Sequence, residues 1–269
     1  MLVAEVMAQQ TQVARVDGSW AAFMARFPTP RRLAEASSAD VLRAWAGLGY
    51  NCRALNLQRA ARVIESRQGG RVPGTVAALE ALPGVGPYTS RAVAALAFGR
   101  PVAAVDTNVR RVITRLSGQA LAGPDLQRAA DALVAREDPA TWNHAAMELG
   151  ATVCRARHPD CAACPVSGWC VSAYRNGVVG GRGSSAAESV QARTPRRVAS
   201  VPYEHTTRWL RGRIVARLRD AEDGAWTQLP GWLGGHGPES VAAAVAALER
   251  DGLLERCAHG AVRLPSAAP

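Results

Sequence analysis

Apolar residues recur at helical spacing through most of the first 172 positions. Segments 5–16, 39–45, 54–65, 76–82, 88–97, 108–116, 125–136 and 142–149 each carry the i, i+3, i+4 pattern of a helix with one buried face. Glycine and proline punctuate the gaps, at Phe27-Pro28, Gly69-Gly70, Pro73-Gly74 and Gly123-Pro124. No block alternates apolar and polar residues over a long stretch, and no internal repeat is visible. The pattern predicts a mainly α domain over residues 1–172.

The pattern changes after that domain. Gly177, Gly180, Gly181, Gly183, Ser184 and Ser185 precede Arg193, Pro195, Arg196 and Arg197, so residues 173–200 read as a flexible basic linker. Residues 201–269 then read as a small separate domain. Helical spacing returns over 208–219 and 238–250, and Leu253–Arg256 and Ala261–Leu264 suit a hairpin across His259-Gly260. Helices followed by a hairpin predict a winged-helix-like unit. Its second long helix is apolar and poorly basic around Val241–Val245, which suits packing better than reading a DNA groove.

Charge narrows the class of partner. The 269 residues carry a net charge of +10 with 48% hydrophobic content, which supports a packed core and a polyanionic partner. All 32 basic side chains are arginine. Arginine grips phosphate in a bidentate fork, and a chain without lysine cannot form a Schiff base from a lysine side chain. The N-terminal stretch lacks a basic start followed by a long apolar core, and no apolar run approaches bilayer length. These features predict a soluble intracellular protein with no membrane partner.

Two motifs carry candidate chemistry. The first is Leu82-Pro83-Gly84-Val85-Gly86-Pro87-Tyr88, followed about twenty residues later by Val105-Asp106-Thr107-Asn108. Two glycines around one apolar residue permit a tight turn and close backbone approach, and the helix that follows presents free N–H groups to a phosphate. Asp106 lies one helix and one short apolar segment further on, at the start of another helix. It suits an N-cap, a common use of aspartate, and also a carboxylate aimed at a nucleotide held by that turn. The second motif is Cys154, Cys161, Cys164 and Cys170, four of the six cysteines within seventeen residues. In a reducing compartment such a group points to metal rather than disulfides. Four thiolates suit an iron–sulfur cluster or structural zinc, and the single C-x2-C pair favours the cluster. Cys52 and Cys257 are isolated and read as buried small apolar residues.

Together these motifs resemble the helix-hairpin-helix DNA glycosylases that carry a 4Fe–4S cluster, and among them the MutY-type adenine-specific family. The resemblance covers residues 1–172 and rests on AEVMAQQTQV at 4–13, GLGY at 47–50, LPGVGPYTS at 82–90, VDTNVRRV at 105–112, NHAAMELGATVC at 143–154 and the cysteine loop. It implies a two-lobed helical fold and a 4Fe–4S cluster on the four cysteines. The implied activity is base-excision repair by a monofunctional glycosylase, which removes adenine mispaired with 8-oxoguanine or guanine in double-stranded DNA. The protein is then expected to be a cytoplasmic, nucleoid-associated bacterial monomer. The related endonuclease III enzymes place a catalytic lysine where this chain has Tyr88.

The resemblance also implies roles. Glu5 becomes the general acid that protonates adenine N7, and its neighbours Leu2, Val3, Val6 and Met7 suit a carboxyl that holds a proton. Asp106 stabilises the oxocarbenium-like sugar, Asn108 orients Glu5 or water, and Tyr88 hydrogen-bonds near Asp106 and the nucleotide. Gln10 wedges into the stack, while Thr11, Leu48 and Tyr50 contact the guanine or 8-oxoguanine left behind. Gly84 and Gly86 grip phosphate, and Arg91 adds charge. Asn51 departs from the aromatic residue often found after that tyrosine. The chain also starts almost at Glu5, which predicts an in-frame extension upstream, and its tail lacks a Nudix-like pattern, which predicts weaker preference for 8-oxoguanine over guanine. Two alternatives stay open: a glycosylase for thymine opposite guanine, and a DNA-binding protein without activity.

Overall fold

In a computed structural model, residues 1–175 and 201–266 are described, apart from the side chain of Val13. The linker predicted over 173–200 lies outside the described residues from position 176 onward. Contacts gather the described residues into two units, one of 2–73, 82–84 and 201–266, the other of 74–81 and 85–175.

The first unit opens with α1 (Leu2–Ala8), α2 (Val13–Arg26), α3 (Pro30–Glu35), α4 (Ser38–Ala44) and α5 (Cys52–Gln68). Local chemistry sets the starts. Thr29 and Ser37 accept the amides of Arg32 and Asp40 as N-caps, and Pro30 stands in the first turn of α3, where a missing N–H does no harm. Phe23, Leu42, Trp45 and Leu55 are buried together, with Phe23 edge-on to Trp45 at 5.8 Å between ring centroids. The helix predicted over 5–16 is instead two helices, with a turn at Gln9–Gln12. Gln10 takes a φ of 55°, which ends α1. α2 and α3 were not foreseen as separate elements.

The same unit holds the C-terminal elements. α12 (Thr207–Asp220) and α13 (Pro238–Arg250) bury Leu210, Ile214, Leu218, Val241, Val245 and Leu248. β1 (Glu255–Arg256) pairs antiparallel with β2 (Val262–Arg263), in register Glu255 to Arg263, and Thr227 bridges to Val262 alongside. The two helices and hairpin therefore form as expected, and α13 uses its apolar residues for packing. α12 lies against α4, Arg43 pairs with Asp223 at 2.8 Å, and the Ala39 amide donates to the Pro265 carbonyl at 3.0 Å.

The second unit contains α6 (Val76–Glu80), α7 (Pro87–Phe98), α8 (Thr107–Ser117), α9 (Gly123–Asp131), α10 (Pro139–Glu148) and α11 (Val171–Arg175). α6 and α7 are the two arms of the predicted helix–turn–helix, joined through Gly84 and Gly86. Val109, Ile113, Leu126, Ala130 and Val134 form the core between α8 and α9. α9 ends five residues before the predicted limit of 136, yet Val134 still reaches the core from the turns beyond it, so the apolar stripe outlasts the helix. α10 runs into a π-turn, Leu149–Val153, which delivers the chain to Cys154.

Candidate functional site

Asp106 is built in the second unit. The segment before it, Val102–Val105, belongs to no helix or strand, so its backbone groups need other partners. Buried Asn143 on α10 supplies them: its Oδ1 accepts the Ala104 amide at 2.7 Å and its Nδ2 donates to the Val102 carbonyl at 3.0 Å. Asp131 accepts the Ala103 amide at 2.8 Å, and Gln127 donates to the Ala103 carbonyl at 3.0 Å. Asp106 then caps α8, its carboxylate accepting the Val109 amide at 2.7 Å. The helix N-terminus favours negative charge there.

The other candidate residues of this unit lie on neighbouring elements. Asn108 sits in the first turn of α8 and its Oδ1 accepts from Arg111 at 2.9 Å. Tyr88, in the first turn of α7, directs its hydroxyl at Met147 Sδ, 3.8 Å away. Arg91 pairs with Asp131 at 3.2 Å, so its guanidinium is engaged with the carboxylate that holds the Ala103 amide. Gly86 caps α7 with extended backbone. An apolar cavity lined by Ile113, Leu133, Trp142, Leu149 and Trp169 lies elsewhere in the unit, and none of the candidate catalytic side chains lines it.

The cysteine loop is tied to α8 by two arginines one turn apart. Arg111 Nε donates to the Cys154 carbonyl at 2.7 Å and Nη2 to the Gly150 carbonyl at 2.5 Å. Arg115 Nη1 lies 3.4 Å from Cys154 Sγ and donates to the Arg155 carbonyl at 2.8 Å. Burial pushes the Cys161 thiol above its ordinary pKa, and Cys170, Cys154 and Cys164 push the same way while Arg115 opposes them. Four sulfurs thus share one electrostatic neighbourhood beside a cation, a donor set whose chemistry fits an anionic thiolate cluster. Among the described residues, no three Cys, His, Asp or Glu side chains stand ready-formed as a metal site. Sequence reasoning missed Arg111 and Arg115, although their spacing of four places both on one helix face.

In the first unit, two turns converge on one side chain that the sequence did not single out. Arg53, on the first turn of α5, is 8% exposed. Its Nη1 donates to the carbonyls of Val6, Met7 and Gln9 at 2.8, 2.9 and 2.5 Å. Its Nη2 donates to Thr11 Oγ1 and the carbonyls of Leu48 and Gly49 at 3.0, 3.1 and 3.2 Å. The carbonyls at the end of α1 have no partner within the helix, and Arg53 supplies one. Burial lowers the guanidinium's pKa, yet arginine remains charged, and the converging oxygens compensate that buried charge.

This clamp holds two strained residues. Gln10, exposed, and Tyr50, half-buried, take φ values of 55° and 44°, a left-handed backbone that disfavours side chains. Thr11 also donates to the Leu48 carbonyl at 3.4 Å. Arg53 therefore ties the turns that carry Gln10, Thr11, Leu48 and Tyr50 to one another. Leu48 itself is 5% exposed and packs in the core. Glu5 is half-buried on α1, one turn before the clamp. Gly84 takes a φ of 77°, and a Cβ there would meet Asn56 Cβ at 2.7 Å, so the close approach expected of that glycine is real. Cys52 is exposed and Cys257 partly so, contrary to the expectation that both are buried; Cys52 opens α5 at the edge of the Tyr50 turn, where the core does not reach.

The chain belongs to the HhH-GPD superfamily of base excision DNA repair proteins, whose family model matches residues 3–133. It is 45% identical over 228 residues to the adenine DNA glycosylase of Mycobacterium tuberculosis, spanning 82% of this chain and 70% of that protein. It is 41% identical over 268 residues to the adenine DNA glycosylase of Mycolicibacterium smegmatis, spanning 97% and 85%. Among solved structures it is similar to a thermostable thymine-DNA glycosylase, with a TM-score of 0.61 and 31% identity over 64% of this chain and 82% of that one. No described helix is long and apolar enough to cross a membrane.

Proposed function

We propose that this protein is an adenine DNA glycosylase of base excision repair, which hydrolyses the N-glycosidic bond of adenine opposite 8-oxoguanine or guanine in duplex DNA. The observation that carries this reading is the 45% identity, across 82% of the chain, to an adenine DNA glycosylase. The geometry supports it through the clamped Gln10 and Tyr50 turns and through Asp106 at the head of α8.

The target adenine leaves the stack, because its glycosidic bond is out of reach inside the duplex. Glu5 gives its proton to adenine N7. The bond from C1′ to N9 then breaks, and adenine leaves with both electrons and the added proton. Asp106 stabilises the positive charge left on the sugar. Water adds at C1′ and passes a proton to the Glu5 carboxylate, which restores the acid, with Asn108 and Tyr88 ordering the groups around it. Gln10 fills the gap in the stack, Thr11 and Tyr50 border the base left behind, and Leu48, buried in the core, ties their turns together through its carbonyl. Gly84, Gly86 and Arg91 lie along the path of the backbone. With no lysine in the chain, a lysine Schiff base and strand cleavage through it are unavailable, so the product is an intact abasic strand. Cys154, Cys161, Cys164 and Cys170 would hold a 4Fe–4S cluster, which supplies a cross-link that stiffens their loop.

The test is a glycosylase assay on 8-oxoguanine:A, G:A and G:T duplexes. Adenine release from the first two, with strand breaks only after alkali, supports the reading, and Glu5→Gln should lower the rate. A second reading is favoured by the similarity to a thymine-DNA glycosylase: release of thymine opposite guanine. Cleavage of the G:T duplex alone would establish it and overturn the first.

A further inference from the structure

The ring of Tyr50 meets two guanidinium groups. That of Arg53 lies 5.6 Å from the ring centroid and is consumed by the carbonyls it clamps. That of Arg208, on the first turn of α12, lies at 4.0 Å, the distance of a stacked cation–π pair. Arg208 is exposed, and no carboxylate pairs with it among the described residues. Stacking uses the flat face of a guanidinium and leaves its N–H edge free. The next residue along the turn, Asn51, accepts from Arg219 of the same helix at 2.6 Å. α12 therefore spans this turn, with one arginine on Tyr50 and the other on Asn51.

We infer that Arg208 is a DNA-contacting residue, whose N–H edge binds a backbone phosphate next to the base that Tyr50 borders, so that the C-terminal region completes the substrate surface. This rests on the reading of Tyr50 given under the proposed function. A phosphate is the fitting ligand because the N–H edge is unpaired, faces solvent and matches two phosphate oxygens at once. The contact with the Tyr50 ring holds the guanidinium at this turn, a restraint that a long exposed arginine otherwise lacks.

The experiment compares wild type with Arg208→Gln and Arg208→Lys. The probe is a labelled duplex with 8-oxoguanine opposite a 2′-fluorinated adenine nucleotide, which resists hydrolysis. Dissociation constants are measured across a salt series. Loss of one phosphate contact should weaken binding of the Gln variant about three- to tenfold at low salt and flatten the log–log salt slope by roughly one unit. The Lys variant, which keeps the charge, should retain the wild-type slope. A brace that only supports Tyr50 would weaken binding without changing the slope, so a Gln variant with the wild-type slope overturns the inference. Melting curves of both variants guard against misfolding. If wild type binds the probe but releases no adenine from the natural mismatch, the proposed function fails while the salt slope still reports on Arg208.

Discussion

Arg111 joins two parts of the site: its Nε donates to the Cys154 carbonyl at 2.7 Å while its Nη2 donates to Asn108 Oδ1 at 2.9 Å. One side chain thus connects the entry to the cysteine loop with the first turn of the helix that Asp106 caps. Arg111→Met keeps the helical stem and removes these donors, leaving the Gly150 carbonyl without its side-chain donor and the Cys154 carbonyl with only the longer contact to Arg115, at a cost of about 1–3 kcal/mol. The variant should release the loop to proteolysis between residues 154 and 170 and hold less iron per protein than wild type. Equal iron content and equal protease resistance would show that the loop stands without this tie.

Arg53 offers a sharper test, because it is buried and one guanidinium bridges the end of α1 to the Leu48–Gly49 turn. Arg53→Met removes the donor to six oxygens and strands the Val6 and Met7 carbonyls at the end of α1, while Thr11 still reaches the Gln9 and Leu48 carbonyls and Trp45 the Gly49 carbonyl; Arg53→Lys replaces a broad fork by one point charge that cannot serve both turns. Each should lose about 3–5 kcal/mol in denaturant unfolding. A lysine variant as stable as wild type would mean that one turn alone needs the cation.

Asp106 has a structural and a proposed chemical task, and two substitutions separate them. Asparagine retains an oxygen for the Val109 amide, so Asp106→Asn should keep its stability within about 0.5 kcal/mol. Its rate of base release should still fall at least about 100-fold, through loss of the negative charge. Asp106→Ala should lose the same activity and about 1 kcal/mol more stability. Single-turnover rates set beside melting curves check both.

The two hairpin glycines should behave differently. Gly84→Ala forces a side chain onto a φ of 77° and against Asn56 at 2.7 Å, which should cost about 2–4 kcal/mol. Gly86 has a φ of −92° and no heavy atom within 4 Å of an added Cβ, so Gly86→Ala should change stability by less than about 1 kcal/mol. Comparable losses at both would place the constraint in the turn as a whole.

The Arg43–Asp223 pair carries a pH signature. A hydrogen bond and the nearby charge of Arg43 hold the Asp223 carboxyl below its ordinary range. A depressed folded-state pKa stabilises the fold above the unfolded value, about 3.9, and that contribution is lost as pH falls through the folded pKa. Asp223→Asn should therefore melt slightly below wild type at neutral pH, the effect being small because the Asp223 side chain is exposed, and the gap should close as pH falls through the lowered folded-state pKa of Asp223. A gap that persists in acid would assign it to packing.

Much of the fold was legible because its signals act within one helical turn. Thr75, Asp106 and Asp138 each accept an amide three residues on, and Pro87, Pro124 and Pro139 open helices in the way their fixed φ dictates. The helix–turn–helix around Gly84, the capping Asp106 and the grouped cysteines were readable for that reason. The break at Gln10 was not. Its segment carries good helical spacing, and nothing local opposes a helix from Glu5 to Val16.

That break depends on Arg53, forty-four positions from Gln9 in sequence. The pairing of Asn51 with Arg219 spans 168 positions, and the stack of Arg208 on Tyr50 is as remote. Residue order alone thus established the helical class, the caps, the hairpin and the acidic and cysteine motifs, since each is settled by neighbours a few bonds away. Which arginine clamps which turn, and that the C-terminal helix reaches the Tyr50 loop, arose on folding: a long guanidinium side chain has many rotamers, and only buried carbonyls and a fixed aromatic ring select one.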